Sequence, residues 1–178
     1  FRVYSSGTEG YANSLILNNR VYVPTWNTGN DAPALASYRA ALPGYDVVGF
    51  YYSDWKNTDA LHCRTMGVTD LEMLWIDHTP AGADQIQNVP VVISAFIRCH
   101  PSNSLTATRL FYRYGTSGSF TQATMTSSGS NIYQASIPGA AAGTTVQYYI
   151  SASDNSGRSE THPRFAPGTW FNSFVFTG

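Results

Sequence analysis

The chain has 178 residues, 43% of them hydrophobic and 14% aromatic, which is enough apolar material for one ordinary domain or two small ones. Its 10 basic side chains against 11 acidic ones leave a net charge of −1, which removes the electrostatic footprint that nucleic acid or an anionic membrane surface would require. No stretch approaches the roughly 20 apolar residues of a membrane-spanning helix, and no basic segment followed by an apolar one opens the sequence.

Phe1-Arg2-Val3-Tyr4 reads as a strand, so the chain is expected to begin inside a folded unit, as a processed product or a truncated piece would. Ser14–Leu17 and Arg20–Val23 are short apolar runs joined by Asn18-Asn19, a pair that tolerates positive φ, and they predict a β-hairpin ended by Pro24. Asn30-Asp31 offers a helix cap and Pro33 suits a first turn. Leu35, Tyr38 and Leu42 then repeat on one face until Pro43-Gly44 stops a short amphipathic helix. Asp46–Phe50 follows as an apolar strand. A polar loop carries Trp55 to Asp59, and Leu61–Val68 and Leu71–Ile76 read as two further extended segments.

Periodicity is lost between Thr79 and Pro90, a stretch with two prolines and a glycine that has the chemistry of a linker. Beyond it the runs Val91–Arg98, Arg109–Tyr114, Phe120–Met125, Ile132–Ile137, Thr145–Ala152 and Phe171–Phe176 are aromatic or β-branched and separated by Gly, Ser, Asn and Pro. That pattern predicts an immunoglobulin-like β-sandwich. The expected organisation is therefore a mixed α+β unit over residues 1–78, a linker over 79–90 and an all-β sandwich over 91–178. Within Thr145–Ala152, alternation places Tyr148 and Ile150 on one face and Tyr149 on the other. The turn Asp154-Asn155-Ser156-Gly157 holds one carboxylate, which argues for an ordinary turn over a calcium loop, and no metal or other cofactor is expected.

One heptad stands apart from this framework. Asp59-Ala60-Leu61-His62-Cys63-Arg64-Thr65 surrounds a cysteine with an imidazole, a guanidinium and a carboxylate. A thiolate is a strong nucleophile near neutral pH and neighbouring cations favour it, so Cys63 is a candidate reacting atom. A buried small hydrophobe is the alternative for any free cysteine. Pairing with Cys99 is open in principle, whereas a catalytic Cys63 must stay free. The scattered His78, His100 and His162 suggest no metal site, and Trp55 is the tryptophan expected to border the heptad.

The run Tyr11–Pro24, then Asn30-Asp31, then Pro43-Gly44-Tyr45, then Thr58–Thr65 occur in an order and spacing that resemble the C-terminal part of a bacterial, Porphyromonas-type peptidylarginine deiminase, a relative of the agmatine deiminases. The resemblance covers residues 1–78 densely, and the tail resembles, less specifically, the immunoglobulin-like domain that follows the catalytic domain in such proteins. It implies the last ββαβ module of an α/β propeller, a pentein, whose other modules lie upstream in the same catalytic domain. It also implies hydrolysis of a peptide or protein arginine to citrulline and ammonia, and a secreted or cell-surface location.

By the resemblance Cys63 is the nucleophile and Asn13 the catalytic asparagine. The family's catalytic histidine and two guanidinium-holding aspartates have no counterpart in this sequence, so the chain alone is expected to be inactive. Arg64 is expected to grip the carboxylate of a C-terminal arginine, which points to peptide over agmatine; its alternative is an ion pair with Asp59. Thr58 and Asp59 are expected to line the pocket. His62 is set aside as the acid, because adjacent residues of a strand face opposite ways. Two other readings compete: a binding or adhesion module on a remnant deiminase scaffold, and a free-standing thiol hydrolase using a Cys-His pair.

Overall fold

A computed structural model describes residues 7–68, 70–168 and 170–178, so the strand expected at Phe1–Tyr4 lies outside the described residues. The chain forms two compact units, Phe1–Val68 and Thr69–Gly178.

In the first unit the expected hairpin is present as β1 (Leu15–Leu17) and β2 (Arg20–Thr25), paired from Leu15↔Tyr22 to Leu17↔Arg20, with Asn18 at φ +54° in the turn. Pro24 does not end β2, which runs one residue further. Because β1 covers only Arg20–Tyr22, no described strand pairs with that flank of β2 at Pro24, and a residue without an N–H is tolerated there. Helix α1 (Asp31–Ala41) crosses to β3 (Asp46–Tyr51), which lies parallel to β2 from Arg20↔Asp46 to Thr25↔Tyr51. The sheet order is β1-β2-β3. Both faces of β2 are used. Val21 and Val23 pack with Val47, Ala34 and Tyr11, against which Leu35 and Tyr38 lie, while the cluster of Trp55, Ala60 and Leu61 packs against Tyr22 and Trp26.

The extended segment expected over Leu61–Val68 is a difference that bears on function. Leu61–Arg64 is instead a single helical turn, α2, and Thr65–Val68 follows without strand pairing. Burial explains the turn: Leu61 and Ala60 are drawn into the Trp55 cluster while the next three side chains are exposed, an arrangement that one turn provides and a two-sided strand does not.

The second unit begins earlier than the expected sandwich. Strand β4 (Leu74–Asp77), read with the first unit from the sequence, pairs antiparallel with β6 (Val91–Cys99), from Leu74↔Cys99 to Asp77↔Phe96. The linker expected over 79–90 contains β5 (Asp84–Ile86), which pairs parallel with β13 (Asn172–Thr177). The remaining strands are β7 (Leu105–Tyr114), β8 (Thr121–Thr124), β9 (Thr126–Gly129), β10 (Ile132–Ile137), β11 (Thr145–Asp154) and β12 (Ser159–His162). One sheet runs β4-β6-β10-β9 and the other β5-β13-β11-β7-β8, with β12 on β11.

The two sheets share one core. Ile93, Ile97 and Ile137 come from the first, and Leu110, Tyr148, Ile150, Phe174 and Phe176 from the second. Alternation along β11 is as expected: Tyr148 and Ile150 lie in the core, whereas Tyr149 stacks on Phe111 outside it, with centroids 4.7 Å apart. In the turn after β11, Asp154 Oδ1 accepts the Ser156 N–H and hydroxyl.

Candidate functional site

The site is built on the segment Asn57–Arg64 and on the turn that precedes β1. Asn13 N–H donates to the Gly10 carbonyl at 2.9 Å, closing that turn. The Asn13 amide donates to the Asn57 carbonyl at 2.7 Å, and the Asn13 carbonyl accepts the His62 N–H at 3.1 Å. One asparagine thus ties down both ends of the loop that precedes the cysteine. Gly10 makes the approach possible, because a Cβ there would stand 2.4 Å from the Asn57 carbonyl oxygen. The Gly10–Asn13 turn is itself anchored. Tyr11 is 2% exposed, packs edge-on against Trp26, and donates its hydroxyl to Asp31 Oδ1 at 2.6 Å. Burial first, and that bond second, push its pKa up to about 12, so it remains a donor at neutral pH. Asp31, expected as a helix cap, also accepts the Trp26 and Thr28 N–H groups, and α1 begins without a side-chain cap bond from Asn30.

Within the loop, Lys56 and Asp59 exchange backbone hydrogen bonds at 3.2 Å each way, and Cys63 N–H donates to the Ala60 carbonyl at 3.2 Å. The Cys63 thiol is exposed, and neither it nor the half-buried Cys99 is in a disulfide. Its Sγ lies 3.8 Å from the Thr58 carbonyl, which it can donate to, and 4.0 Å from His62 Nδ1. This corrects the facing argument that set His62 aside. Successive residues of a helical turn are rotated by about 100° and not opposed, so the imidazole reaches the sulfur of the next residue. Among the sequence-picked residues, Cys63 meets the Thr58 carbonyl directly, whereas Asn13 bonds their chain neighbours Asn57 and His62.

Arg64 takes the ion-pair alternative. Its Nε and Nη2 both donate to Asp59 Oδ2, at 3.0 and 2.7 Å, and its guanidinium lies 5.9 Å from the Tyr52 ring centre and 5.8 Å from that of Trp55. The guanidinium holds the Asp59 carboxyl below its ordinary range, and the carboxylate in turn raises Arg64. Trp55 thereby borders the site as expected, its Nε1–H donating to the Phe50 carbonyl at 3.0 Å. Among the described residues no group of three or more His, Cys, Asp or Glu is placed to hold a metal ion.

This arrangement offers an accessible sulfur beside a base, a carbonyl and a braced asparagine on one short loop. Residues 4–68 match the family model of Porphyromonas-type peptidyl-arginine deiminase. The matched stretch takes in the hairpin, α1, β3 and the Cys63 turn, and ends where the first unit ends; the sandwich lies outside it. The deiminase match supports an enzyme of that general type, a hydrolase for which protein arginine is the suggested substrate class. Tyr52 and Asn57 are the contributors to this matched segment that the sequence reading missed, and His62 is the one it had set aside. For His62 a signal exists: buried Ala60 and Leu61 followed by polar residues is a pattern that a turn satisfies better than a strand.

Proposed function

We propose that the first unit is the nucleophile-bearing module of a guanidino-group hydrolase that converts peptidyl or C-terminal arginine to citrulline, a pentein module in fold. The Cys63 thiolate attacks the guanidinium carbon and a C–S bond forms. The C–N bond to a protonated terminal nitrogen then breaks, ammonia leaves, and a covalent thiouronium remains. Water adds to that carbon and the thiolate departs, leaving a ureido group; no electrons are gained or lost. The observation that supports this most directly is an exposed, unpaired Cys63 on a turn braced by Asn13, inside the stretch that matches the deiminase family. Asn13 keeps the loop in place, while Thr58 and Asp59 edge the pocket.

Arg64 can serve a substrate carboxylate only by sharing or leaving Asp59, and its rings and carboxylate hold it ready at the rim. The remaining acid and the guanidinium-holding carboxylates are assigned to upstream parts of the same domain, so the 178 residues alone should release no ammonia. For the second unit, the strand orders β4-β6-β10-β9 and β5-β13-β11-β7-β8 support an immunoglobulin-like reading, since they correspond to ABED and GFC sheets with added edge strands. A secreted or surface location goes with that reading.

A polypeptide joining this segment to the rest of a deiminase domain should make citrulline from a peptide with C-terminal arginine, and its Cys63→Ala variant should make none; turnover by the variant would end the assignment. The 4.0 Å approach of His62 to Cys63 favours a second reading, a Cys-His pair working within this chain. Citrulline formed by the purified 178-residue chain, and lost in His62→Gln, would establish that reading in place of the first.

A further inference from the structure

The outward face of the first sandwich sheet brings aromatic and polar side chains together. Strand β4 alternates buried Leu74 and Ile76 with exposed Trp75 and Asp77, and β6 alternates its core residues with Val92, Ser94, Phe96 and Arg98. The register sets Trp75 opposite Arg98, Asp77 opposite Phe96, Phe96 opposite Ile132, and Ser94 opposite Gln134. Side chains on one face of a strand stand about 7 Å apart and those on neighbouring strands about 5 Å. An indole, a phenyl ring, a carboxylate, a hydroxyl and an amide therefore fall within the span of one or two sugar rings.

A cavity of about 360 Å³ opens on this face, lined among others by Asp77, Thr79, Ser94, Phe96 and Ile132, and its volume is that of a small-molecule site. Its wall is preformed. His78 is 7% exposed and bonds the Ser94 carbonyl at 2.8 Å and the Tyr148 hydroxyl at 2.9 Å. Trp75 remains 51% exposed while its ring packs against Phe96 with centroids 5.6 Å apart, so the indole is steadied without being covered.

We propose that this face binds a neutral saccharide. A pyranose presents an apolar C–H face that stacks on indole and phenyl rings, and a rim of hydroxyls that can donate to Asp77 and exchange hydrogen bonds with Ser94 and Gln134. Gln134 Nε2 already reaches Ser94 Oγ at 3.4 Å, so the polar rim is ordered. Asp77 and Arg98 oppose one another in charge, which leaves no net field for a charged ligand, and an alkyl chain would bury the Asp77 carboxylate while offering it no hydrogen bond. The face lies in the second unit, outside the stretch matched to the deiminase family, so it stands or falls independently of Cys63.

Affinity electrophoresis of the 178-residue chain through gels containing laminarin, hydroxyethyl cellulose, glucomannan, xylan or soluble starch tests this. At least one of these neutral polysaccharides should retard the chain. Trp75→Ala should weaken the retardation by about tenfold or more, as loss of a stacking platform does elsewhere, and Gln134→Ala should weaken it too. Trp170→Ala, which removes an indole 53% exposed in another part of the unit, should leave it unchanged. If Trp75→Ala loses its β-sheet circular dichroism, Gln134→Ala decides alone. Migration unaffected by all five polysaccharides, or wild-type retardation of folded Trp75→Ala and Gln134→Ala, overturns the proposal.

Discussion

Replacing Tyr148 by Phe tests how the sandwich core tolerates the loss of a buried hydrogen-bonded hydroxyl. The hydroxyl is fully buried, accepts the Ala81 N–H at 2.9 Å and lies 2.9 Å from His78 Nε2, while His78 Nδ1 lies 2.8 Å from the Ser94 carbonyl. A carbonyl only accepts, so Nδ1 carries the proton and Nε2 of the neutral ring accepts the Tyr148 O–H. Phenylalanine keeps the ring packing with Phe174 but strands the Ala81 N–H and the His78 Nε2 lone pair. Each unsatisfied buried group costs about 1–3 kcal/mol, and the loss of the hydroxyl's own desolvation returns part of that, so a net loss of about 2–4 kcal/mol is expected. For a unit of this size that is a fall in Tm of roughly 10–20 °C.

The same chain fixes a pH limb. Burial lowers the His78 pKa from its ordinary 6.5, against the smaller opposing effects of the Ser94 bond and Asp77; burial and the neighbouring His78 likewise lower His162, whose ring centre is 5.5 Å away. Both histidines bind protons more readily unfolded than folded, so stability is present above pH 6.5 and is lost as pH falls below it. Near-UV circular dichroism melts between pH 8 and 5 measure both effects. A Tyr148→Phe unit within about 0.5 kcal/mol of wild type at pH 8, or a wild-type Tm that does not fall on acidification, would refute the reasoning.

Three further outcomes follow from the first unit. Iodoacetamide should label exposed Cys63 well before half-buried Cys99, and His62→Gln should slow the Cys63 reaction at pH 7 several-fold while leaving Cys99 unchanged; equal rates at Cys63 would remove the imidazole from its chemistry. Gly10→Ala, whose Cβ would meet the Asn57 carbonyl at 2.4 Å, should displace the loop and raise protease cleavage between Asn57 and Thr65, read by mass spectrometry of limited digests, with the sandwich left intact. Ile16, Leu17, Phe50 and Tyr51 are each about half exposed on β1 and β3, so the chain should self-associate at micromolar concentration; light scattering from a monodisperse monomer would count against that.

How much of this was legible in the sequence depended on whether a local signal carried the structure. The hairpin, α1, β3 and the long sandwich strands were readable because each combines apolar periodicity with its own punctuation, Asn18-Asn19, Pro33 or Pro43-Gly44, and β10 matches its expected limits at both ends. Strands β5, β9 and β12 were not, since Asp-Gln-Ile, Thr-Ser-Ser-Gly and Ser-Glu-Thr-His have no alternation; they are strands because a neighbour offers its edge. The unit boundary was missed for the same reason, as only pairing with β6 shows where Leu74–Asp77 belongs.

At the candidate site, conformation was not legible. Cys63, Asn13, Thr58, Asp59 and Arg64 were all named, yet a run of alternating character was read as strand when tertiary burial of Ala60 and Leu61 made it a turn. The consequence is chemical as well as geometric. In a strand, His62 and Arg64 would share the face away from the sulfur; in the turn, the imidazole contacts the sulfur and the guanidinium swings back to Asp59 beneath Tyr52 and Trp55. Any mechanism for this segment therefore has to start with a base beside the thiol and an arginine already occupied, which puts the energetic question at the Asp59–Arg64 pair: a substrate carboxylate gains that guanidinium only by competing with a carboxylate held five residues away on the same loop.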